Sequence, residues 1–311
     1  MSFSHSGERG HKHLFCFGAV RYLLLSGAEH PLRGFFVPVN QALAADPRQA
    51  GPMLLDFCHT YRDELEPLIR THLVQTNVVK RSVGLVIALW AVRRRCKQPV
   101  HVIEVGASAG IHLHFDRYRY NIGGRVYGRP DAKVVIEPQW RGSGPSPDFD
   151  DLPPIASRLG VDLNPIDVTD PTERLWLRAL VWPENPQEEA QLTAALESVA
   201  SDPPPMVAGD AIDVCPQLAA RLPRGEPRVV FHAATRMHVP ADRRAAFDAA
   251  IDALGEDGPL YHAWHEPPSA PHHGVEADPR GVVALHGPED DKPAALAQVD
   301  GHLDWIAPLP D

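Results

Sequence analysis

The sequence predicts an α/β protein in which helices cover both faces of a mostly parallel sheet and a helical region precedes it. From Val100 onward, short β-type runs alternate with amphipathic helices, the order that builds parallel strands through helical crossovers. Before that point, residues 1–99 show helical periodicity and no convincing strand alternation. The length of 311 residues suits one large domain with a smaller appended region.

The composition is that of a globular protein and argues against several function classes. Hydrophobic residues make up 44% of the chain and charged residues 23%. A formal charge of −10 leaves no basic surplus for a phosphate backbone, so nucleic acid is not an expected partner. The longest uncharged apolar stretch, Ser82–Val92, is too short to span a bilayer, and no secretory signal is visible. We therefore expect a cytoplasmic protein without a membrane partner, its four separated cysteines reduced.

The individual elements follow from periodicity and end signals. Helices are predicted over Asn77–Lys97, from Asn185 to about Val199, and over Ala241–Leu254. The predicted β-type runs are Val100–Val105, Val161–Val168, Met206–Gly209, Arg228–His232, Leu260–Trp264, Val282–Leu285 and Leu303–Ile306. The last two runs have only a predicted short helix between them, which favours an antiparallel edge there. Residues 121–155, rich in Gly and Pro, are predicted to be an insertion.

A turn of very small residues follows the first strand. The segment Glu104-Val-Gly-Ala-Ser-Ala-Gly110 ends a β-run in an acid and leads into a predicted helix over Ser108–Tyr120. Small residues allow a ligand to approach the backbone, and a helix N-terminus offers unpaired N–H groups. A tight turn that binds nothing is the alternative.

This segment resembles the acid-x-Gly-x-Gly-x-Gly turn of class I S-adenosylmethionine-dependent methyltransferases, with Ser108 in place of the middle glycine. The resemblance implies a Rossmann-like, doubly wound sheet and S-adenosylmethionine as cofactor. It also implies that Glu104 engages the amino group of the ligand directly or through water. Gly106, Ala107, Ser108 and Gly110 would lie beneath its methionine portion.

The same residues also match Gly-x-Ser-x-Gly, the nucleophile elbow of α/β-hydrolases, with Ser108 as nucleophile. Three observations count against that alternative. The preceding hundred residues look helical where an elbow needs earlier strands, no oxyanion-loop motif lies upstream, and Glu104 would oppose developing negative charge. A nicotinamide oxidoreductase fits less well, because Ser108 and Gly110 break the required glycine spacing.

Acids and histidines that follow the later strands fit the methyltransferase-like interpretation in order. Asp162 or Asp167 would hold the two ribose hydroxyls, since one carboxylate accepts both hydrogen bonds. Asp210, followed by Ala211, would meet the adenine amino group. His232 and His265, each at the carboxyl end of a strand, are candidates for acid–base chemistry, and His232 would also lie by the sulfonium methyl.

Histidine is abundant, with 17 in the chain, but no metal site is expected. His112 and His114 are two positions apart on the predicted helix and would point in different directions. We therefore expect the histidines to act, if at all, through proton transfer.

A resemblance to a bacterial family known as domain of unknown function 2332 covers the chain from about Tyr22 to the end. The matching segments are Tyr22–Leu32, Val74–Asn77 with Arg81, Glu104–Gly110, Asp116–Tyr118, Gly160–Asp167, Trp176–Glu184 and Gly209–Ala211. The resemblance brings no activity, but it implies that Gln75, Asn77, Arg81 and Asp116 matter beyond packing, in a helical lid over the cofactor. Ala233-Ala234 departs from the pattern, because a serine is expected there.

Together these observations predict a helical lid or substrate region over 1–99 and a Rossmann-like domain over 100–311. The expected function is transfer of the methyl group from S-adenosylmethionine to a small-molecule acceptor. Other sulfonium chemistry, a non-catalytic ligand-binding relative and the Ser108 hydrolase remain alternatives, and a homodimer is one option for the oligomeric state.

Overall fold

The computed structural model describes residues 8–36, 46–142, 146, 148–267 and 281–309. The α-helices are α1 Glu8–Leu25, α2 Ala50–Thr60, α3 Arg62–Thr71, α4 Ser82–Arg95, α5 Pro171–Ala179, α6 Pro186–Ser201, α7 Ala211–Ala219 and α8 Arg244–Ala253. The strands are β1 Val100–Val105, β2 Arg119–Ile122, β3 Arg125–Gly128, β4 Val135–Ile136, β5 Gln139–Trp140, β6 Ile155–Asp162, β7 Met206–Ala208, β8 Arg228–Ala233, β9 Leu260–Glu266, β10 Val282–His286, β11 Ala294–Val299 and β12 Trp305–Pro308. Short 3-10 helices include Val79–Arg81, Ile111–Arg117 and Arg236–His238.

The chain divides into two compact units. One comprises Met1–Asn77 and Asp167–Thr193, and the other comprises Val78–Ile166 and Ala194–Asp311. Within 8–36 and 46–77, the described elements of the first unit are helical, as the sequence predicts for this region. The second unit contains every described strand.

A buried arginine organises the first unit. Arg21 on α1 is 1% exposed, and its guanidinium lies 2.5 Å from the Glu189 carboxylate. It also donates to the backbone oxygens of Val181, at 2.6 Å, and Arg178. A buried guanidinium needs this many acceptors because its charge cannot be left without partners.

The second unit contains a nine-stranded sheet with the order β5-β12-β11-β10-β9-β8-β1-β6-β7. Strands β7, β6, β1, β8 and β9 run parallel to one another, and β9 to β12 continue as an antiparallel edge. The predicted α/β class with a mainly parallel sheet is therefore confirmed. The antiparallel edge expected from the last two predicted strands is present only through β11, which lies between β10 and β12 and is antiparallel to both, and the outermost strand β5 is parallel to β12. A second sheet, β3-β2-β4, lies in the region predicted as an insertion.

Helices cover both faces of the large sheet. On one face, Ile103 and Val230 pack with Phe247 and Ile251 of α8 and with residues of α7. On the other face, α4 is so close that a Cβ on Gly84 would lie 3.5 Å from the ring of Phe231. Because successive strand residues point to opposite faces, Val230 packs against α7 and α8, whereas Phe231 packs against α4.

Two predicted helices near the glycine turn begin later than expected. The helix predicted from Asn77 begins at Ser82 after a 3-10 turn, and the Asn77 amide donates to the Gln75 oxygen at 3.0 Å instead of capping it. The predicted helix Ser108–Tyr120 is a 3-10 helix over Ile111–Arg117. Positive φ angles at Ser108 and Gly110 delay its start.

Two further boundaries differ from expectation. The predicted strand Val161–Val168 is β6 at Ile155–Asp162, because the chain turns at Asp162, whose Oδ1 accepts the N–H of Asn164 at 2.8 Å. The predicted short helix before the last strand is β11, Ala294–Val299. Pairing with β10 and β12 outweighs the helix preference of its alanines.

Candidate functional site

The carboxyl ends of the parallel strands meet at one edge of the sheet, and the glycine turn lies there. Gly106 and Gly110 have φ of +77° and +70°, and Ser108 between them has φ of +50°. The N–H groups of Gly106 and Ala107 both donate to the oxygen of Val161, at 2.8 and 3.2 Å. The turn is thus held against the end of β6.

The two glycines are required by packing as well as by their φ angles. A Cβ on Gly106 would lie 2.2 Å from Oγ1 of Thr235, and a Cβ on Gly110 would lie 2.8 Å from Pro204. Thr235 Oγ1 donates to the oxygen of Val105 at 3.2 Å. Protein side chains therefore fill the space beside these glycines.

Glu104, the acid of the predicted motif, is a buried carboxyl with one free oxygen. It is 1% exposed, and its Oε1 lies 2.6 Å from Nδ1 of His112. Its Oε2 has no hydrogen-bond partner among the described residues. Burial raises the pKa of Glu104 above its ordinary value, although the neighbouring His112 opposes that shift.

The partners of His112 fix how many protons this pair holds. Its Nε2 lies 3.0 Å from the backbone oxygen of Val78, which can only accept, so Nε2 carries a hydrogen. The short contact between Nδ1 and Glu104 then holds a single proton shared by the two groups. The pair is neutral overall, as either a carboxylic acid with imidazole or a carboxylate with imidazolium.

Asp162 connects the end of β6 to the glycine turn. Its Oδ2 accepts the N–H of Ser108 at 2.8 Å, and its backbone oxygen accepts the N–H of Gly209 at 2.8 Å. Its negative charge contributes to the raised pKa of Glu104. The site therefore holds two acids close enough to influence each other.

Asp167, the other candidate for the ribose, lies in the first unit. Its Oδ1 accepts from the N–H and the hydroxyl of Thr169, at 2.9 and 2.6 Å, and these bonds lower its pKa. Within the second unit, the structure brings Asp162 together with the turn.

Asp210 is the N-cap of α7, directly after β7. Its side chain accepts the N–H of Ile212 at 3.0 Å, and its other oxygen lies 3.0 Å from Arg243. Ala211 begins the helix and is 9% exposed. Both residues lie where the third parallel strand along the chain ends.

His232 is entirely buried, at 0% exposed. Its Nδ1 lies 2.8 Å from Oε1 of Glu266, and its Nε2 lies 3.1 Å from Nε2 of His262. Burial alone would raise the pKa of Glu266. Its bonds with His232 and with the N–H groups of Arg236 and Thr235 lower it below the ordinary value. Both ring nitrogens of His232 are thus engaged inside the fold.

His265 on β9 faces the opposite layer, where its Cβ lies 3.8 Å from the position of a Cβ on Gly84. It is 2% exposed, and its Nδ1 has no partner among the described residues. Burial, together with the charge of Arg81, lowers its pKa to about 3. His265 is therefore a neutral imidazole at physiological pH.

The four predicted lid residues fall in different places. Gln75 and Asn77 lie in the first unit, in the extended segment before the 3-10 helix Val79–Arg81. Arg81 donates to the backbone oxygen of Gly301 at 3.1 Å, within the second unit. Their role as a lid stays a prediction.

Asp116, the fourth of them, accepts two hydrogen bonds from Arg158, at 2.9 and 2.8 Å. Burial would raise the pKa of Asp116, but Arg158 outweighs this and lowers it. Arg158 also donates to the backbone oxygen of Leu113 at 2.6 Å. The pair thus fixes the 3-10 helix that follows the glycine turn.

Sequence reasoning did not identify His112 and Thr235 as part of the site. A regular helix, which the sequence predicts here, gives no reason to bring His112 to Glu104, and Thr235 lies 129 positions from Gly106 along the chain. In the described part of the chain, no three His, Cys, Asp or Glu side chains are grouped as a metal site. None of the described helices combines the length and apolar character needed to cross a bilayer.

A family model described as "Uncharacterized protein conserved in bacteria (DUF2332)" matches residues 3–307. No curated protein matches the chain. Among solved structures, one match is the bifunctional kinase-methyltransferase WbdD, with 12% identity and a TM-score of 0.30. The match covers 76% of this chain and 44% of that one, so this chain spans less than half of its length. A TM-score this low supports no inference about fold or chemistry.

Proposed function

The chain belongs to the bacterial family DUF2332, and we propose that it binds S-adenosylmethionine and transfers a group from it to a small-molecule acceptor. Methyl transfer is the reaction proposed first, and transfer of the aminocarboxypropyl arm or an internal cyclisation would use the same site. One observation carries the proposal: the buried Glu104 carboxyl, at the end of the first strand, has a free Oε2 among the described residues.

A free oxygen on a buried carboxyl calls for a donor, because burying it without a hydrogen bond costs about 1–3 kcal/mol. The amino group of S-adenosylmethionine is such a donor. Its positive charge suits this site, because the negative charge of Asp162 lies close enough to raise the pKa of Glu104 and a cation would be attracted to both carboxylates. An ammonium on Oε2 would favour the carboxylate form and leave the shared proton on His112.

The sheet supports the same ligand class. Strands β1, β6, β7, β8 and β9, numbered in that order, occupy the spatial order 3-2-1-4-5, the first five positions of the Rossmann order. The order reverses between β1 and β8, and nucleotide-type ligands bind outside the carboxyl ends of strands at such a point. Glu104 on β1 is beside this reversal.

The remaining acids have assigned roles in this proposal. Asp162, whose Oδ2 accepts the N–H of Ser108 in the glycine turn, would hold the ribose hydroxyls. Asp210 and Ala211, which directly follow β7, would contact the adenine amino group. When bound, S-adenosylmethionine supplies a reactive sulfonium methyl group that chiefly needs alignment.

The acceptor would be oriented by His265 more than deprotonated by it. A pKa of about 3 makes His265 a weak base at neutral pH, but its neutral Nδ1 can accept a hydrogen bond from a hydroxyl or an amine. The buried His232, held by Glu266 and His262, would support the strand ends. No step of the proposal depends on proton transfer to His232.

The test is calorimetric titration with S-adenosylhomocysteine, the product of methyl transfer. We expect micromolar binding to the wild-type protein and at least tenfold weaker binding to Glu104→Gln, because the amide replaces a charged acceptor and loses about 1.5 kcal/mol or more. The exposed Glu256→Gln is the matched control and should bind like the wild type.

The other outcomes separate the alternatives. Binding without turnover of S-adenosylmethionine on any tested acceptor would favour a ligand-binding relative. No binding at millimolar ligand would remove the proposal. The Ser108 hydrolase would then be next in order, because a φ of +50° at Ser108 is typical of the strained nucleophile elbow.

A further inference from the structure

A second group of chemically active side chains lies at the opposite end of β1, away from the glycine turn. Oγ of Ser157 is 2.7 Å from Nδ1 of His101, and Nε2 of His101 is 2.7 Å from Oε2 of Glu226. All three residues belong to the second unit. They have no part in the function proposed above.

The sheet itself brings these residues together. His101 on β1 is paired with Ser157 on β6, so their side chains share one face. The register shifts by one between Val100 and His101, which places a bulge at Ala156 directly before the serine. Bulges re-aim side chains and are frequent beside active sites. Without this shift in register, Ser157 would be paired with Val102 and would lie on the face opposite to His101.

The third residue is positioned by the neighbouring strand. The N–H of His101 donates to the backbone oxygen of Pro227 at 3.0 Å, which holds the segment before β8 against β1. Glu226 directly precedes this proline. Its carboxylate therefore reaches the imidazole from the side opposite Ser157.

A nucleophilic serine must be accessible to its substrate, and the histidine beside it can be buried. Ser157 is exposed, whereas the His101 side chain is 8% exposed. A carboxylate only accepts, so Glu226 holds the hydrogen of His101 on Nε2 and leaves the Nδ1 lone pair directed at the serine hydroxyl. Compared with a chymotrypsin-type triad, the two ring nitrogens exchange partners: Nδ1 faces the serine and Nε2 faces the carboxylate. The imidazole still acts as the base, and the carboxylate still orients it.

The backbone offers a donor for an oxyanion next to the serine. The N–H of Gly160 donates to Pro205 on the β7 side of β6, at 2.9 Å. Because backbone direction alternates along a strand, the N–H of Arg158 points to that same side. The pairing of β7 with β6 begins only at Gly160. Arg158 directly follows Ser157, as the oxyanion donor does in nucleophile elbows.

We propose that Ser157, His101 and Glu226 form a second catalytic site, which hydrolyses small carboxylic esters. Ser157 Oγ forms a bond to the carbonyl carbon while its proton passes to Nδ1 of His101. The ester C–O bond then breaks, and His101 returns the proton to the leaving alkoxide as an alcohol. Water attacks the acyl-serine in the same way, its proton passing through His101, and releases the carboxylic acid and free Ser157.

A fluorophosphonate probe tests this site, because it forms an O–P bond with an activated serine and releases fluoride. We expect intact-mass spectrometry to show one adduct on the wild-type protein and peptide mapping to place it on Ser157. The adduct should be absent from Ser157→Ala and retained by Ser201→Ala, an exposed control in the same unit. Glu226→Gln should slow labelling about 10- to 100-fold, because it disturbs the imidazole tautomer.

A small-ester assay gives the second readout. Hydrolysis of p-nitrophenyl butyrate should fall to background in Ser157→Ala and be retained by Ser201→Ala. Absence of any adduct on the wild-type protein, an adduct mapped to another residue, or unchanged hydrolysis by Ser157→Ala would each overturn the proposal. Unchanged unfolding of Ser157→Ala would show that a loss of labelling is chemical.

Discussion

At the scale of single residues, the pair of Glu104 and His112 determines the character of the candidate site. One proton is shared between them, and the other carboxyl oxygen has no partner among the described residues. Such a group is costly to bury unless a ligand completes it. The pair therefore links the stability of the site to its proposed binding of a cationic ligand.

The first residue-scale prediction concerns stability. His112→Phe should lower the free energy of unfolding by about 3 kcal/mol, because it leaves the buried Glu104 carboxyl without its partner. The double variant Glu104→Met, His112→Phe should lose less than the sum of the two single changes, by about 1–3 kcal/mol. Urea unfolding of all four proteins measures this coupling. Additive losses would show that the two side chains are energetically independent.

At the scale of elements, the glycine turn depends on the loop after β8. Thr235, in that loop, occupies the space beside Gly106 and donates to Val105. Glu266 of β9 accepts from the N–H groups of Thr235 and Arg236, both at 2.8 Å, and so holds the loop in place. The turn is thus supported by strands distant in sequence.

This dependence predicts the effect of adding one methyl group. Gly106→Ala should cost about 1 kcal/mol for its positive φ and a further 1–3 kcal/mol for the contact with Thr235. Gly124→Ala is the matched control, because Gly124 has the same φ of +77° and nothing within 4 Å of its added Cβ. Chemical denaturation of both variants gives the difference. Equal losses in the free energy of unfolding would mean that the Thr235 side chain moves aside without destabilising the protein.

Several elements could be predicted from sequence because local pattern and tertiary structure agree there. Strand β1 matches its predicted bounds, and β8 and β9 begin at the predicted residues. Strand β11 could not be predicted, since Ala294-Ala-Leu-Ala has helical propensity and only pairing with two neighbours makes it a strand.

In the candidate site, too, some features could be predicted from the sequence and others could not. An acid at the end of the first parallel strand, with others after later strands, could be predicted to share one edge of the sheet, since that follows from topology. The contact between His112 and Glu104 could not, because a regular helix was expected where a 3-10 helix forms. The choice between Asp162 and Asp167 could not be made from sequence, because the long insertion before this strand obscures where it ends; the structure ends β6 at Asp162.

At the scale of the whole molecule, all described strands and the site belong to one unit that contains several buried ionisable groups. Their shifted pKa values make stability depend on pH. His265 has its pKa lowered from 6.5 to about 3, so the folded state stays neutral where the unfolded state takes up a proton. Stability from this residue is present above about pH 6.5 and is lost as the pH falls toward 3.

Replacing His265 should therefore reduce the acid sensitivity of the protein. Between pH 7 and pH 5, the wild type should lose about 2 kcal/mol more than His265→Gln, as expected for one proton bound only in the unfolded state. Urea unfolding at the two pH values measures both losses. Equal losses in the two proteins would show that His265 is protonated in the folded state as readily as in the unfolded state.

The central claim is tested most directly by a structure determined from crystals of the protein soaked with S-adenosylhomocysteine. We expect the amino nitrogen of the ligand about 3 Å from Oε2 of Glu104, and the ribose hydroxyls beside Asp162. A ligand bound away from both carboxylates, or no bound ligand at saturating concentration, would contradict the assignment of this edge of the sheet as an S-adenosylmethionine site.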